Sequence, residues 1–217
     1  MAQTSPPTVP VNLTALAPAL AWPSAALVLI HIGFVILRHG FDRDYVLGLS
    51  PLFDMWGEGS VPAFFTALLW VTAATLLFLI SRGDGPRRGR WVFLSAVALF
   101  LAVDENLALH EELILPLRAL MDGTGIFFFP WFVPYAVAMA VLGVAYLPFL
   151  RQLPRPTVVG ILVAGAVFVS GAMGMEMVEG IFFEPDPFAR TPLLDTLVTI
   201  EESMELVGIL LFIHTLA

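Results

Sequence analysis

Three apolar segments of the sequence carry clusters of acidic residues. They read AVDENLALHEEL at 102–113, GMEMVEG at 174–180 and TIEESMELVG at 199–208. An ionised carboxylate in the middle of a lipid bilayer costs about 2.5–3.5 kcal/mol, and these segments contain no Lys or Arg that could neutralise one. The acids must therefore be protonated, hydrated in a polar cavity, or bound to cations.

The residue types and their spacing suit a divalent metal. Carboxylate oxygens and imidazole nitrogens bind Mn, Fe, Ca or Zn, and a Glu-x-x-Glu pair places two carboxylates on one helix face. Asp104 and Glu111 would also share a face of one continuous helix. The predicted metal ligands are Asp104, Glu111, Glu176, Glu201, Glu205, His110 and His31. An acid that binds no metal could act as a general base, and the candidates are Glu105, Glu202 and Glu179.

Other chemistries are excluded by residues and motifs that the sequence lacks. It contains no cysteine, which excludes disulfides, thiolate metal sites and cysteine nucleophiles. No nucleotide-binding glycine loop, Gly-x-Ser-x-Gly elbow or His-Glu-x-x-His motif is present, so no organic cofactor is predicted. The net charge of −8, without any lysine, argues against nucleic acid as a partner.

The elements that must position these residues are transmembrane helices. Hydrophobic residues make up 59% of the chain and the mean hydropathy is +0.89, both typical of membrane proteins. Segments of about 20 apolar residues can cross a bilayer, and we predict six, at 18–38, 61–81, 91–113, 129–150, 157–183 and 194–216. The predicted fold is an all-α transmembrane helix bundle forming one integral membrane domain, 1–217. Close helix approach is expected at Gly171, Gly174, Gly180 and Gly208.

Arginine predicts the orientation, because cytoplasmic loops of membrane proteins retain positive charge. Two loops, at 81–90 and 151–156, carry six arginines, and the other side carries four. The six are Arg82, Arg87, Arg88, Arg90, Arg151 and Arg155, and the four are Arg38, Arg43, Arg118 and Arg190. We therefore expect both termini in the cytoplasm, and the loops at 39–60, 114–128 and 184–193 outside. Counting helical rise from the outer ends of the spans places the acids and His31 in one layer of the outer half. We expect membrane lipids as the surroundings.

Parts of the sequence resemble a known family. LAVDENLALHEEL at 101–113, EESMELVG at 201–208 and GEGSVPAFF at 57–65 are similar to a family of bacterial multi-pass membrane proteins of unknown function. That family has a DE-x-x-x-x-HE helix, a Glu and a Pro opening span two, and a final EE-x-x-E-x-x-G helix. The resemblance implies no reaction, but it does imply the bacterial inner (plasma) membrane as the location. The segment SVPAFF is less polar than the family pattern. It does mark Glu58 as a further residue of interest, together with Asp104, Glu105, His110, Glu111, Glu201, Glu202 and Glu205.

Three functions remain open at this point. The first is a divalent-metal site that opens toward the periplasm and could support metal-dependent chemistry on a lipid or other membrane substrate. The second is a transporter of protons or divalent cations, which would need a polar path to the cytoplasm. The third is a structural or assembly subunit of a larger membrane complex, or a homo-oligomer. The sequence does not decide whether the protein is an enzyme.

Overall fold

Long apolar runs bounded by Pro, Gly and Arg form the helices of this protein. The computed structural model describes residues 13–121, 123–183 and 190–217, and these ranges contain helices and turns without a β-strand. The helices are α1 (Leu16–Phe41), α2 (Val61–Gly83), α3 (Arg88–Leu107), α4 (Ile114–Met121), α5 (Phe132–Leu150), α6 (Arg155–Val169), α7 (Glu176–Phe183) and α8 (Pro192–Leu216). The all-α prediction is confirmed. The predicted loop at 184–193 lies mostly outside the described residues.

Several of these helices are long and apolar enough to cross a membrane. Four continuous stretches qualify: Leu13–Phe41, Val61–Gly83, Phe132–Leu150 and Arg155–Phe183. A fifth would be the pair Gly85–Leu107 and Glu111–Met121, which is bent by 72°. Helix α8 has 25 residues, but it carries Asp195 and the three glutamates of TIEESMELVG, which lower its apolar character. The number of six spans stays a prediction.

The predicted span 91–113 is not one continuous helix, because α3 ends at Leu107. Ala108 adopts a left-handed backbone conformation with φ of 48°, which stops the helix. The carboxylate of Asp104 accepts a hydrogen bond from the backbone N–H of His110 at 3.0 Å, holding the chain in its new direction. The expectation that Asp104 and Glu111 share a face of one helix is therefore also wrong.

Helices α6 and α7 are joined by a π-helical turn, Ser170–Met175. This turn packs closely on α8, since a Cβ on Gly171 would lie 2.9 Å from the carbonyl oxygen of Glu201. Close approach is likewise confirmed for Gly180 and Gly208, where a Cβ would lie 2.6 Å from the Gly125 oxygen and 2.7 Å from the Phe168 nitrogen. It is wrong for Gly174, where a Cβ would meet no described atom of a neighbouring element within 4 Å. A π turn inserts an extra residue per turn and so rotates the helix that follows it.

The two ends of the bundle differ in character. At the end where α2 finishes and α3 begins, a core of apolar side chains from α2, α3, α5 and α8 is closely packed, with Leu69, Leu77, Phe149, Ile209 and Ile213 fully buried. Arg87 at this end donates a hydrogen bond to the Gln152 carbonyl at 3.0 Å. We call this the arginine-rich end. The opposite end, where α1, α3 and α7 finish and α2, α5 and α8 begin, is called the acidic end.

Candidate cation site in an acid-lined cavity

A cavity of about 530 Å³ lies toward the acidic end, between α3, α5, α7 and α8. Its wall contains the acids from all three predicted clusters, and no Arg or Lys is among the described residues that line it. The acids are Glu58, Asp104, Glu105, Glu111, Glu176, Glu179, Glu201, Glu202 and Glu205. His110 lines the same cavity. Side chains separated by more than a hundred residues of sequence therefore share one space.

The deep part of the cavity contains two glutamates that each have one buried oxygen without a hydrogen-bond partner. Glu176 and Glu179 stand on α7, directly after the π turn, and face Glu201, Glu202 and Glu205 on α8. Glu179 is only 3% exposed. Its Oε1 atom and the Oε2 atom of Glu176 are buried and receive no hydrogen bond from any described residue. Buried carboxyl groups without partners are costly, so this end of the cavity favours a proton or a cation.

The mouth of the cavity brings three potential metal ligands together. One donor atom each from Glu58, His110 and Glu111 lies within 4.8 Å of the other two. Glu58 belongs to the turn before α2, and the other two residues follow the break at Ala108. Had α3 continued as a straight helix to Leu113, this meeting with the turn before α2 would not have formed. Glu58 and Glu111 are exposed and His110 is half-buried.

Asp104 orients the imidazole of His110. Its Oδ2 atom lies 3.3 Å from Nδ1 of His110, and its Oδ1 atom accepts hydrogen bonds from the His110 backbone N–H and the Tyr135 hydroxyl, at 3.0 and 3.1 Å. The ring of His110 also packs on Trp131, with 4.5 Å between centroids. With Nδ1 turned to a carboxylate, Nε2 is the nitrogen that can bind a metal, an arrangement common in metal sites.

The electrostatics of the mouth are unusual for Glu58. Although part of this residue is exposed, desolvation raises the pKa of its carboxyl to about 7, against the opposing effect of His110. The nearby carboxylates of Glu111 and Asp104 raise this pKa further. A carboxyl in such a negative environment gains from a cation that neutralises its neighbours.

The remaining wall of the cavity is apolar. On α3 it consists of Phe93, Val97, Phe100 and Leu101, and on α5 of Ala138, Met139 and Leu142. A smaller cavity of about 180 Å³ adjoins it and shares Trp70, Val97, Leu101 and Phe168. All described residues lining this smaller cavity are apolar or glycine. The space therefore changes from acidic at one end to apolar at the other.

His31 is the one predicted ligand that does not line the cavity. Its Nδ1 atom accepts a hydrogen bond from the Met55 backbone N–H at 3.1 Å and lies 3.8 Å from Asp54. The side chain is buried between α1 and the loop that precedes α2. Its role as a metal ligand stays a prediction, and the structure assigns it a contact that positions this loop.

A second group of charges at the acidic end is paired internally. We define the ion-pair cluster as Arg38, His39, Asp54, Arg190 and Asp195. Asp195 is completely buried and lies 2.8 Å from Arg38 and 2.7 Å from His39. Arg190 binds Asp54 through both terminal nitrogens, one of them at 2.9 Å. The cluster thereby joins α1, the loop before α2 and the start of α8.

Comparison with known proteins places this site within one family. Residues 24–217 match the family model described as a domain of unknown function, DUF8692. The chain belongs to this family. The match includes every residue that lines the cavity, so the cavity lies within the family's domain. No curated protein and no solved structure matches the chain.

Several residues of the site escaped the sequence analysis. Trp131 and Tyr135 hold His110 and Asp104 in place, yet an aromatic residue at the start of a membrane span predicts only an interfacial position. The hydrogen-bonded pairs Arg190–Asp54 and Arg38–Asp195 join residues that are 136 and 157 positions apart, so local spacing does not reveal these two pairs. The position of Asp195 in the first turn of α8 was the available signal, since acids are favoured there.

Proposed function

We propose that this protein is a multi-pass membrane protein that binds a divalent cation at Glu58, His110 and Glu111. The observation that carries the proposal is the approach of these three donor groups within 4.8 Å of one another at the mouth of an acid-lined cavity. No Arg or Lys among the described lining residues competes for the carboxylates. The buried, partnerless oxygen of Glu179 gives independent support for a cavity that attracts positive charge.

The donor set indicates which metal the mouth suits. Two carboxylates and one imidazole match Mn²⁺, Fe²⁺ or Zn²⁺ better than Ca²⁺, which prefers oxygen alone. In this proposal Asp104 is a positioning residue that fixes the His110 ring. Three protein ligands leave coordination positions open, as in catalytic rather than structural sites. A bound metal would supply an activated water molecule there, and Glu105, Glu179 or Glu202 could accept a proton.

The metal is tested by elemental analysis of protein purified in mild detergent without chelator. Wild type is expected to retain close to one equivalent of a transition metal. Glu111→Gln should lose it, because it removes one of the three donors. Glu112→Gln is the matched control, since this exposed neighbour does not line the cavity. A wild-type protein that is folded but metal-free, or equal loss in both variants, would reject the site.

The proposal includes six spans with the acidic end facing outward and both termini in the cytoplasm. Its support is the location of Arg82, Arg87 and Arg88 at the opposite end of the bundle, on the side where positive charge is retained. The cysteine-free sequence allows a clean labelling test. Asp44→Cys should react with an impermeant thiol reagent in intact cells, and Gln152→Cys only after lysis. Labelling of Gln152→Cys in intact cells, and of Asp44→Cys only after lysis, would show the opposite orientation.

A cation transporter is the less favoured function. A conducted ion needs polar groups along the whole path through the membrane. Beyond the cavity, the described residues between α2, α3 and α8 form the apolar core of the arginine-rich end, and the described residues that line the smaller adjoining cavity are all apolar or glycine. The geometry thus favours binding of a cation over its passage.

A further inference from the structure

The apolar wall of the cavity is thin at the side of the bundle. Phe93, Phe100 and Met139 line the cavity and are also 52%, 45% and 40% exposed. Side chains that face both the cavity and the outer surface form a wall one side chain thick, where small movements can open the cavity sideways. Phe100 and Met139 lie near the middle of α3 and α5, and Phe93 lies five residues after α3 begins. In a membrane-embedded bundle this thin wall faces the hydrocarbon of the bilayer.

The apolar part is long enough for a hydrocarbon chain. From Asp104 to Phe93, both of which line the cavity, α3 rises by about 16 Å at 1.5 Å per residue. The adjoining apolar cavity of about 180 Å³ extends this space further. Together they fit the usual form of a ligand site, which is mostly apolar with a few polar groups at one end.

The polar end selects the charge of the headgroup. The acids there face one another without an Arg or Lys among the described lining side chains, so a phosphate or sulfate group would be repelled by the acids with no guanidinium or ammonium group to offset them. Trp131, Tyr135 and Phe129 also line this part, and aromatic faces attract ammonium groups. Glu179, which is 3% exposed, has an oxygen without a hydrogen-bond partner. This oxygen can accept a hydrogen bond from an ammonium group.

We propose that the cavity binds a membrane amphiphile with one hydrocarbon chain and a cationic amine headgroup, which enters sideways between α3 and α5. The amine lies among Glu176, Glu179 and Glu201, and the chain lies along Phe93, Val97 and Leu142. This inference rests on the membrane insertion and the cation-attracting cavity of the proposed function, and it adds the ligand class. The metal at the mouth and the amine in the deep part occupy separate groups of acids.

Fluorescence quenching in lipid nanodiscs tests the proposal. The probe is dodecylamine brominated in the middle of its chain, compared with the corresponding alkyl phosphate and alcohol. Trp56, Trp70 and Trp131 line the cavity and report its occupation, and a Trp22→Phe background removes the most exposed tryptophan. All measurements are made with chelator present. Saturable quenching is expected for the amine only.

Two alanines on α5 provide a matched pair for the chain. Ala138 lines the cavity and Ala140 does not, although both are exposed. Ala138→Phe is expected to abolish saturable quenching, whereas Ala140→Phe should leave it unchanged. For the headgroup, Glu179→Gln should weaken amine binding by about 10-fold or more, because the amine loses a hydrogen bond to a charged group.

The outcomes separate this inference from the metal site. Equal saturable quenching by all three probes, no saturable quenching by the amine, or equal effects of the two alanine substitutions would overturn the amphiphile site. Because chelator is present throughout, none of these results depends on a bound metal. Amine-selective quenching in a protein that proves metal-free would support the amphiphile site and reject only the metal at the mouth.

Discussion

The ion-pair cluster and the cavity are both rich in acids and lie at the same end of the bundle, yet they satisfy their charges in opposite ways. In the cluster, the fully buried Asp195 contacts Arg38, His39 and Arg190. In the cavity, the almost fully buried Glu179 forms no ion pair with any described Arg or His, and one of its oxygens has no hydrogen-bond partner. Removing the cationic partner of a buried carboxylate is costly, whereas a buried carboxyl group that has no cationic partner is available to a ligand.

The two regions also depend on each other. Asp54 of the cluster is four residues before Glu58, and the intervening Met55 donates its backbone N–H to His31. Arg190 lies over the ring of Trp56 at 4.2 Å, and Trp56 lines the cavity. The paired charges therefore hold the loop that brings Glu58 to the mouth of the cavity.

The largest effect is expected in the cluster, for Asp195→Asn. This substitution removes a carboxylate that Arg38 and Arg190 both contact, so their buried positive charges lose a partner. The expected loss in the free energy of unfolding is about 3–5 kcal/mol. Thermal unfolding in detergent measures the loss. Asp44→Asn is the control, since Asp44 is 79% exposed and pairs with Arg38 at 3.7 Å, so its loss should cost at most about 1 kcal/mol. Equal losses of stability in Asp195→Asn and Asp44→Asn would contradict the expected difference between the buried and the exposed ion pair.

The next effect is expected at the cavity mouth when metal is added. Mn²⁺ at 100 times its dissociation constant should stabilise the wild type by about 2.7 kcal/mol, because it binds only the folded state. Glu111→Gln should show no such gain, whereas Glu112→Gln should keep it. Unfolding scans with and without the ion give the comparison. An equal gain in Glu111→Gln would place the ion elsewhere.

A smaller change is expected for Asp104→Asn, which tests whether this residue positions His110. Loss of the carboxylate beside Nδ1 should weaken metal affinity by about 10–100-fold and leave the stoichiometry unchanged. Calorimetric titration measures both quantities. Complete loss of binding would instead make Asp104 a ligand, as the sequence predicts.

The smallest effect is expected for Glu179→Gln, the counterpart of Asp195→Asn. Its carboxyl has an oxygen without a described partner, so replacing it with an amide should change stability by less than about 1 kcal/mol, in either direction. The same unfolding assay applies. A loss as large as that of Asp195→Asn would show that the cavity acids also hold the fold together.

Much of the fold could be predicted because it depends on local patterns. Runs of about 20 apolar residues predict helices whatever their neighbours are, and the acids inside them are costly in any arrangement. The predicted acids Glu176, Glu179, Glu201 and Glu205 do line one cavity with Asp104. The break after Leu107 could not be predicted, because alanine favours a helix. The left-handed conformation of Ala108 is held by contacts of other residues, such as the hydrogen bond from the His110 backbone N–H to Asp104.

The sequence by itself determined that the protein is apolar and helical, and that many acidic residues lie within its helices. Only the tertiary structure decided which acids receive partners. Arg38 and Arg190 reach Asp195 and Asp54 across more than a hundred residues, His31 faces the loop before α2, and nine other acids line the cavity. The physical reason is that the free energy needed to bury an acid depends on its residue type and its burial. The interactions that offset this free energy depend on which charged groups meet after folding.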